Sequence, residues 1–298
     1  MQPLPHAYDV CRLLYLNAEQ LPHVELLVAL ARQHQLPLNL TTELVTVKFN
    51  QKRREQLCAE ATQPILLLEN NNQLSWLSHG LSVAPEWDKL QRRVVSAGRK
   101  TELLLQAAKI TANSQVIDAT AGFGHDSLIL ASTGAQVTML EQQPIMALLL
   151  LAEQQRMSAE PNWQKLMARL QIINTDALSY FNSHYFADIQ HNSAVIKAVD
   201  VVYLDPMFPD DSYQDSKTGK GAKVGKRMQA LHHLARPPTA EQELQLLQGA
   251  QAAVSYRDNE QQQGRVIVKR PQHAPLFANQ PPKESWQNGA VRFDGYFL

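Results

Sequence analysis

The chain has 298 residues, 44% of them hydrophobic, and its 28 Lys and Arg residues equal its 28 Asp and Glu residues. This composition excludes a disordered polypeptide, and the length predicts one large α/β domain with a smaller one. Because the formal net charge is zero, a nucleic-acid partner would have to be bound by a local basic patch.

Two features of the sequence predict a soluble, cytoplasmic protein without a bound metal or a membrane contact. Cys11 and Cys58 are too few for a disulfide framework and lack metal-ligand spacing. The N-terminal segment has no charged region followed by an apolar stretch, and the longest apolar run, around residues 145–152, is too short to span a bilayer.

The first third of the chain predicts a small α+β domain over residues 1–95. It combines one helical pattern with several strand-like segments, at residues 24–34, 43–49, 64–68 and 74–77. Apolar residues at helical spacing then predict a helix over residues 98–110. We expect this helix to open the second domain, residues 96–298.

Strand and helix signals alternate along the second domain. Strands are predicted at residues 115–118, 136–140, 170–173, 199–204 and 265–269. Helices are expected from Asp126 to Ser132, with Gly134 as the stop, and from Pro144 to about residue 158. Repeated βα units of this kind imply a doubly wound parallel sheet.

A glycine-containing turn follows the first of these strands. Asp118 ends the strand, and Gly122 and Gly124 precede the helix. Glycines at the carboxyl edge of an open α/β sheet let a ligand approach the backbone, and the helix N-terminus offers N–H groups. Ser127 replaces the third glycine of a dinucleotide fingerprint, and Asp118 would repel a pyrophosphate but attract an ammonium group. A plain tight turn is the alternative.

Two further acidic residues follow the next strands. Glu141 ends the second strand, at the position whose carboxylate binds ribose hydroxyls in nucleotide-binding sheets. Asp176 follows the third strand, where it could receive an adenine amino group. The alternatives are a solvated Glu141 and an Asp176 that caps the helix after it.

The motif Asp205-Pro206-Met207-Phe208 follows the fourth strand. An exocyclic nucleobase amine is a poor nucleophile because its lone pair is delocalised, so its methylation needs acceptors that polarise the N–H bonds. Asp205 and the Pro206 carbonyl supply two acceptors, Pro206 stiffens the loop, and Phe208 is expected to stack on a flipped base. A simple turn would also tolerate Asp-Pro.

These segments resemble a known family. DATAGFGHDS, MLEQ and DPMFP resemble class I S-adenosylmethionine-dependent methyltransferases, with Met207 in place of the second proline of the amino-group methylase signature. In order and spacing, GRKTELLLQAAKI, DATAGFGHDS, YLDPMFP and VIVKRP resemble the bacterial family that methylates N2 of a guanine near the 3′ end of 16S rRNA. The resemblance runs from about residue 98 to the C-terminus.

The resemblance implies a Rossmann-like fold, S-adenosylmethionine as cofactor, and 16S rRNA or the small ribosomal subunit as partner. It places cofactor contacts on His125, Asp126, Glu141, Gln142, Asp176, Ala177 and Asp205. His125 and Gln142 stand where the family pattern has Arg, and Lys100 stands where it has Gly.

Basic residues crowd the polar stretch 210–236, which is too long for an ordinary connection and is expected to be a mobile functional loop. They are Lys217, Lys220, Lys223, Lys226 and Arg227, and two more basic residues, Lys269 and Arg270, end the next strand. We expect RNA phosphates to contact Lys223, Lys226, Arg227, Lys269 and Arg270. A solvated loop is the alternative.

Three other functions share part of this pattern. A methylase of adenine N6 or of a protein glutamine would use the same polarising motif. A nicotinamide-dependent oxidoreductase would share the sheet, but the missing third glycine and Asp118 argue against it. A non-enzymatic RNA-binding protein would have no use for Asp205, Pro206 and Phe208 together.

Overall fold

The computed structural model describes residues 10–186, 199–208, 236–255 and 264–297. The chain divides into two compact units, Met1–Lys89 with Gln143–Met167, and Leu90–Gln142 with Ala168–Leu298. The first unit ends at residue 89, whereas the sequence predicts a domain boundary after residue 95. Residues 143–167, which were expected in the second domain, belong to the first unit.

The first unit contains a five-stranded sheet. Its strands are β1 (Cys11–Tyr15), β2 (Leu40–Leu44), β3 (Ile65–Leu68), β4 (Leu74–Ser78) and β5 (Leu81–Val83), and its helices are α1 (Leu21–Gln33), α2 (Gln51–Glu60), α6 (Pro144–Ser158) and α7 (Gln164–Met167). The strand order is β2-β1-β3-β4-β5, with β1 parallel to β2 and β3 and the last three strands antiparallel.

The strand expected at residues 43–49 is displaced. It runs over Leu40–Leu44, and the chain then leaves the sheet. Val45 and Phe49 pack against a small core that includes Leu14 and Leu57, so their alternation comes from an irregular segment that points two apolar side chains inward.

The second unit contains a seven-stranded sheet. Its strands are β6 (Gln115–Asp118), β7 (Gln136–Glu141), β8 (Leu170–Asn174), β9 (Val201–Leu204), β10 (Arg265–Pro271), β11 (Glu284–Gln287) and β12 (Val291–Phe297). Its helices are α3 (Gln91–Ser96), α4 (Leu103–Ala108), α5 (His125–Ser132), α8 (Ala177–Phe181) and α9 (Ala240–Ser255). The five strands predicted from the sequence are confirmed, with ends that differ by at most two residues.

The order of the strands is β11-β12-β10-β9-β6-β7-β8. Strands β6, β7, β8, β9 and β10 all run parallel to one another, and β12 and β11 form an antiparallel edge next to β10. The strand order reverses between β6 and β9, which is the switch point where open α/β sheets bind ligands.

Helices cover both faces of this sheet. Val202 and Leu204 of β9 pack in a buried apolar cluster with residues of α8 and α9. Tyr203, between them, points to the opposite face because side chains alternate along a strand, and there its hydroxyl reaches Asp126 of α5. The doubly wound arrangement expected from the sequence is confirmed.

The helix expected over residues 98–110 is shorter than predicted. Helix α4 begins only at Leu103, and helix α3, which is equally short, ends at Ser96. Between them Thr101 Oγ1 accepts the N–H of Gly98 and donates to the Ser96 carbonyl, so the chain forms a hydrogen-bonded turn there. Lys109 ends α4 with a left-handed φ of 52°.

The described residues contain neither a membrane-spanning helix nor a cluster of metal-ligating side chains. In the four described ranges no helix combines the length and apolar character needed to cross a membrane. Within the same ranges, no three His, Cys, Asp or Glu side chains are grouped as metal ligands would be.

Replacement of Gly134 by Ala is expected to destabilise the protein by about 2–4 kcal/mol. Gly134 ends α5 as predicted, with φ of +102°, and an added Cβ would lie 2.7 Å from the Cβ of Ala112. Urea unfolding should show the loss. The control is Gly289→Ala, where a Cβ would meet no atom within 4 Å. Equal unfolding midpoints for the two variants would contradict the argument.

Candidate active site

The sheet register brings together the carboxyl ends of β6, β9 and β10. Asp118 pairs with Tyr203, and Leu204 pairs with Val268. One residue further along each strand, Asp205 and Lys269 lie side by side. The sequence predicts different roles for the two residues, catalysis for Asp205 and phosphate binding for Lys269.

Lys269 bridges two carboxylates at this edge. Its Nζ lies 2.7 Å from Oδ2 of Asp205 and 2.8 Å from Oδ2 of Asp126. The Tyr203 hydroxyl donates to the same Asp126 oxygen at 2.7 Å, and the Asp205 N–H donates to Thr120 Oγ1 at 2.6 Å. We call these five residues the lysine–carboxylate cluster.

Burial and the neighbouring charges shift the pKa values of the cluster's ionisable side chains in opposite directions. Burial raises the pKa of Asp205, and Lys269 offsets only part of that rise. Burial would also raise the pKa of Asp126, but the Lys269 ammonium and the Tyr203 hydroxyl outweigh it and hold that pKa below its ordinary value. Burial disfavours the Lys269 ammonium, yet the two carboxylates raise its pKa well above the ordinary value, so Lys269 is a cation at neutral pH.

Asp118 organises the glycine turn from inside. It is buried, accepts the Thr120 N–H at 3.2 Å on Oδ1, and accepts the Ser127 hydroxyl on Oδ2. Burial raises the pKa of Asp118 to about 7, although both hydrogen bonds oppose that rise. Each oxygen thus has a partner within the turn, and a contact between Asp118 and an ammonium group stays a prediction.

The turn beside Asp118 is open on its outer side. Gly122 and Gly124 have φ values of +53° and +73°, which favour glycine. A Cβ at Gly122 would meet only the Thr120 carbonyl, at 3.9 Å. The Gly122 N–H donates to Oε2 of Glu141 at 3.1 Å, so the buried carboxylate at the end of β7 borders the turn. An open turn next to a carboxylate suits the ribose and amino-acid parts of S-adenosylmethionine.

The other expected cofactor contacts lie at the same strand ends. Asp176 caps α8, because its Oδ1 accepts the Ser179 N–H at 2.9 Å, which is the alternative considered for it. Ala177 is buried behind it, Gln142 is exposed directly after β7, and the His125 ring stacks on Phe123 at 5.8 Å. Their contacts with the cofactor stay predictions.

Phe208 does not present an open stacking face. The residue is 5% exposed, and its ring lies under the guanidinium of Arg270, 4.9 Å from the ring centroid. Arg270 is itself 5% exposed, pairs with Glu243 at 2.9 Å and donates to the Pro275 carbonyl at 3.1 Å. The expected stacking of Phe208 on a base and the expected phosphate contact of Arg270 are therefore corrected, because both groups are packed inside the unit.

The remaining RNA-contact predictions divide into two groups. Lys269 faces the two carboxylates, so the geometry does not support a phosphate contact for it either. Lys217, Lys220, Lys223, Lys226 and Arg227 lie outside the described residues.

The sequence interpretation missed three members of the site. Thr120 anchors the backbone of Asp205, Tyr203 anchors Asp126, and Arg93, paired with Glu102 at 2.8 Å, lies 3.9 Å from Asp126. Tyr203 gave a signal, since a tyrosine in a strand buried on both faces needs a partner for its hydroxyl. Thr120 and Arg93 gave none.

Comparisons with known proteins agree with this geometry. The family model for SAM-dependent methyltransferases matches residues 41–298. Ribosomal RNA small subunit methyltransferase J of Psychrobacter cryohalolentis is 71% identical over 290 residues, covering 97% of this chain and 96% of that protein. Its namesake in Acinetobacter baylyi is 39% identical over 225 residues, covering 74% and 77%. The crystal structure of a SAM-dependent methyltransferase from Neisseria gonorrhoeae is 26% identical with a TM-score of 0.62, covering 96% and 95%.

The sheet, its switch point and the glycine turn define a class I S-adenosylmethionine-dependent methyltransferase. The chain belongs to the family of ribosomal RNA small subunit methyltransferase J. The resemblance stated from the motifs, the enzyme class and the cofactor are confirmed. The oxidoreductase and the non-enzymatic alternatives are excluded.

Glu141→Ala is expected to weaken S-adenosylmethionine binding by about 1.5–3 kcal/mol, the worth of hydrogen bonds to a charged group. Glu141→Gln keeps one acceptor oxygen and should lose less. Calorimetric titration measures both, and the exposed Glu160→Ala serves as control. An affinity unchanged in Glu141→Ala would remove this carboxylate from the cofactor site.

Proposed function

We propose that this protein methylates the exocyclic N2 amine of a guanine in small-subunit ribosomal RNA, with naked 16S rRNA or the assembled subunit as substrate. The family and the name of its relatives support the RNA as substrate. The observation that carries the chemistry is the state of Asp205. Lys269 occupies its Oδ2, and within the described part of the chain its Oδ1 accepts no hydrogen bond.

S-adenosylmethionine supplies a methyl group bound to a positively charged sulfur. The protein holds the cofactor through Glu141 and the glycine turn, and it binds the acceptor amine through Asp205 Oδ1 and the Pro206 carbonyl. When these two oxygens accept hydrogen bonds from both N–H groups of the amine, the nitrogen lone pair turns out of conjugation with the ring and towards the methyl group. This arrangement supplies proximity and polarisation without a covalent intermediate.

Charge develops on the amine nitrogen as the new N–C bond forms. The carboxylate of Asp205 stabilises that positive charge, and its Oδ1 is placed to take the proton that the methylated nitrogen releases. A preorganised carboxylate in a partly buried site interacts more strongly with this charge than a solvated one would.

Asp205→Asn is expected to lower kcat by on the order of 10²-fold, the cost of one lost electrostatic stabiliser. The matched control is Asp200→Asn at the opposite end of the same strand region, where the Asp200 side chain accepts the Gln115 N–H and an asparagine oxygen can do the same. Binding of S-adenosylhomocysteine is measured separately, so that a loss of cofactor affinity is not read as a loss of rate.

The same assay identifies the product. Small-subunit RNA and assembled subunits are incubated with isotopically labelled S-adenosylmethionine, and the nucleosides and the peptides of the ribosomal proteins are analysed by mass spectrometry. We expect label in N2-methylguanosine, slowed by Asp205→Asn and unaffected by Asp200→Asn. Label in N6-methyladenosine or in a protein glutamine, or wild-type turnover by Asp205→Asn, would contradict the proposal.

A further inference from the structure

We propose that Lys269 is a positioning residue of the methyl-transfer reaction, which holds Asp205 through Oδ2 so that Oδ1 faces the acceptor amine. The inference rests on the proposed function and extends it to a residue outside the Asp-Pro-Met-Phe motif. Lys269 acts through Asp205 and does not contact the substrate.

Hydrogen bonds to Asp126 and Asp205 fix the position of the Lys269 ammonium group. Asp126 is anchored by the Tyr203 hydroxyl, and Arg93 lies 3.9 Å from its other oxygen. The Lys269 ammonium extends from this anchored carboxylate to Asp205, with almost equal distances of 2.8 and 2.7 Å. The side chains of Lys269, Asp126 and Asp205 are 26%, 15% and 30% exposed, so solvent only partly screens their charges.

The cluster also has the right net charge for the reaction. One ammonium between two carboxylates leaves one negative charge at the sheet edge. That charge complements the sulfonium before transfer and the amine nitrogen as it becomes positive. Without Lys269 the two carboxylates would repel each other, and one of them would take up a proton or turn away.

A pH profile reports this role because several charged groups face Asp205. Asp118 of β6, Asp126 of α5, Tyr203 of β9 and Lys269 of β10 interact electrostatically with Asp205. Arg93 and its partner Glu102 act on Asp126 instead, since Arg93 lies 3.9 Å from an oxygen of Asp126. Lys269 lowers the pKa of Asp205, and Asp126 raises it. Loss of the cation should therefore move the acidic limb of activity to higher pH, and loss of the Asp126 charge should move it to lower pH.

The experiment compares Lys269→Met, Lys269→Arg and Asp126→Asn with the wild-type protein in single-turnover methylation over a range of pH. We expect Lys269→Met to lose on the order of 10²-fold in rate at neutral pH, the cost of a misplaced reacting group, with its acidic limb at higher pH. Lys269→Arg should restore part of both properties, and Asp126→Asn should shift the limb the opposite way. The exposed Lys283→Met is the control and should match the wild type.

A second readout does not depend on activity. Carboxyl-carbon NMR of ¹³C-aspartate-labelled protein, with the Asp205 signal assigned through Asp205→Asn, follows the protonation of Asp205 directly. Its midpoint should rise in Lys269→Met and fall in Asp126→Asn, while thermal melting reports the fold of each variant. If Lys269→Met does not fold, the opposite shift in Asp126→Asn and a smaller upward shift in Lys269→Arg decide the question.

The outcomes separate this inference from the proposed function. An unshifted Asp205 midpoint in the variants overturns the inference, whatever the substrate is. A defect confined to RNA affinity and its salt dependence would also overturn it, because it would return Lys269 to phosphate binding. Wild-type protein that methylates another acceptor, but shows the expected midpoint shifts, would contradict the proposed function and leave the role of Lys269 standing.

Discussion

One ammonium group between two carboxylates determines how the carboxyl edge of this sheet is arranged. Burying a carboxylate is costly unless it is paired, and removing one partner of such a pair leaves an uncompensated charge. Lys269 meets this constraint for Asp126 and Asp205 at the same time. Helix α5, strand β10 and the loop after β9 are therefore tied to one another through charges, and the acceptor oxygen of Asp205 has a defined direction.

Strand β10 contacts both ends of the Asp-Pro-Met-Phe motif. Lys269 binds Asp205 at the start of the motif, and the next residue, Arg270, covers the Phe208 ring at its end. Successive side chains of a strand point to opposite faces, so neighbouring residues of one strand can reach two separate points of the loop. The position of the Pro206 carbonyl between them then follows from the sheet rather than from the loop alone, which is how rigid elements support a reacting group.

The sequence predicted those parts of the protein that depend on local pattern. The five parallel strands of the second unit, the glycine turn and the acidic strand end at Glu141 follow from hydrophobic runs and turn residues, whereas the antiparallel strands β11 and β12 were not predicted. It did not predict the partners of long polar side chains, since a Lys at a strand end looks the same whether it meets a phosphate or a carboxylate. Lys269 and Arg270 were assigned to RNA for this reason, and Phe208 to an open face. Only the register between β9 and β10 places Asp205 and Lys269 side by side.

The central claim is that cofactor and acceptor amine meet at this edge, next to Asp205. A crystal structure of the protein with S-adenosylhomocysteine and a guanosine nucleotide tests it most directly. The account predicts the ribose hydroxyls on Glu141, the guanine amine within hydrogen-bond distance of Asp205 Oδ1, and Lys269 still on Oδ2. Ligands bound elsewhere, or a guanine whose amine faces away from Asp205 while Lys269 binds a phosphate, would contradict it.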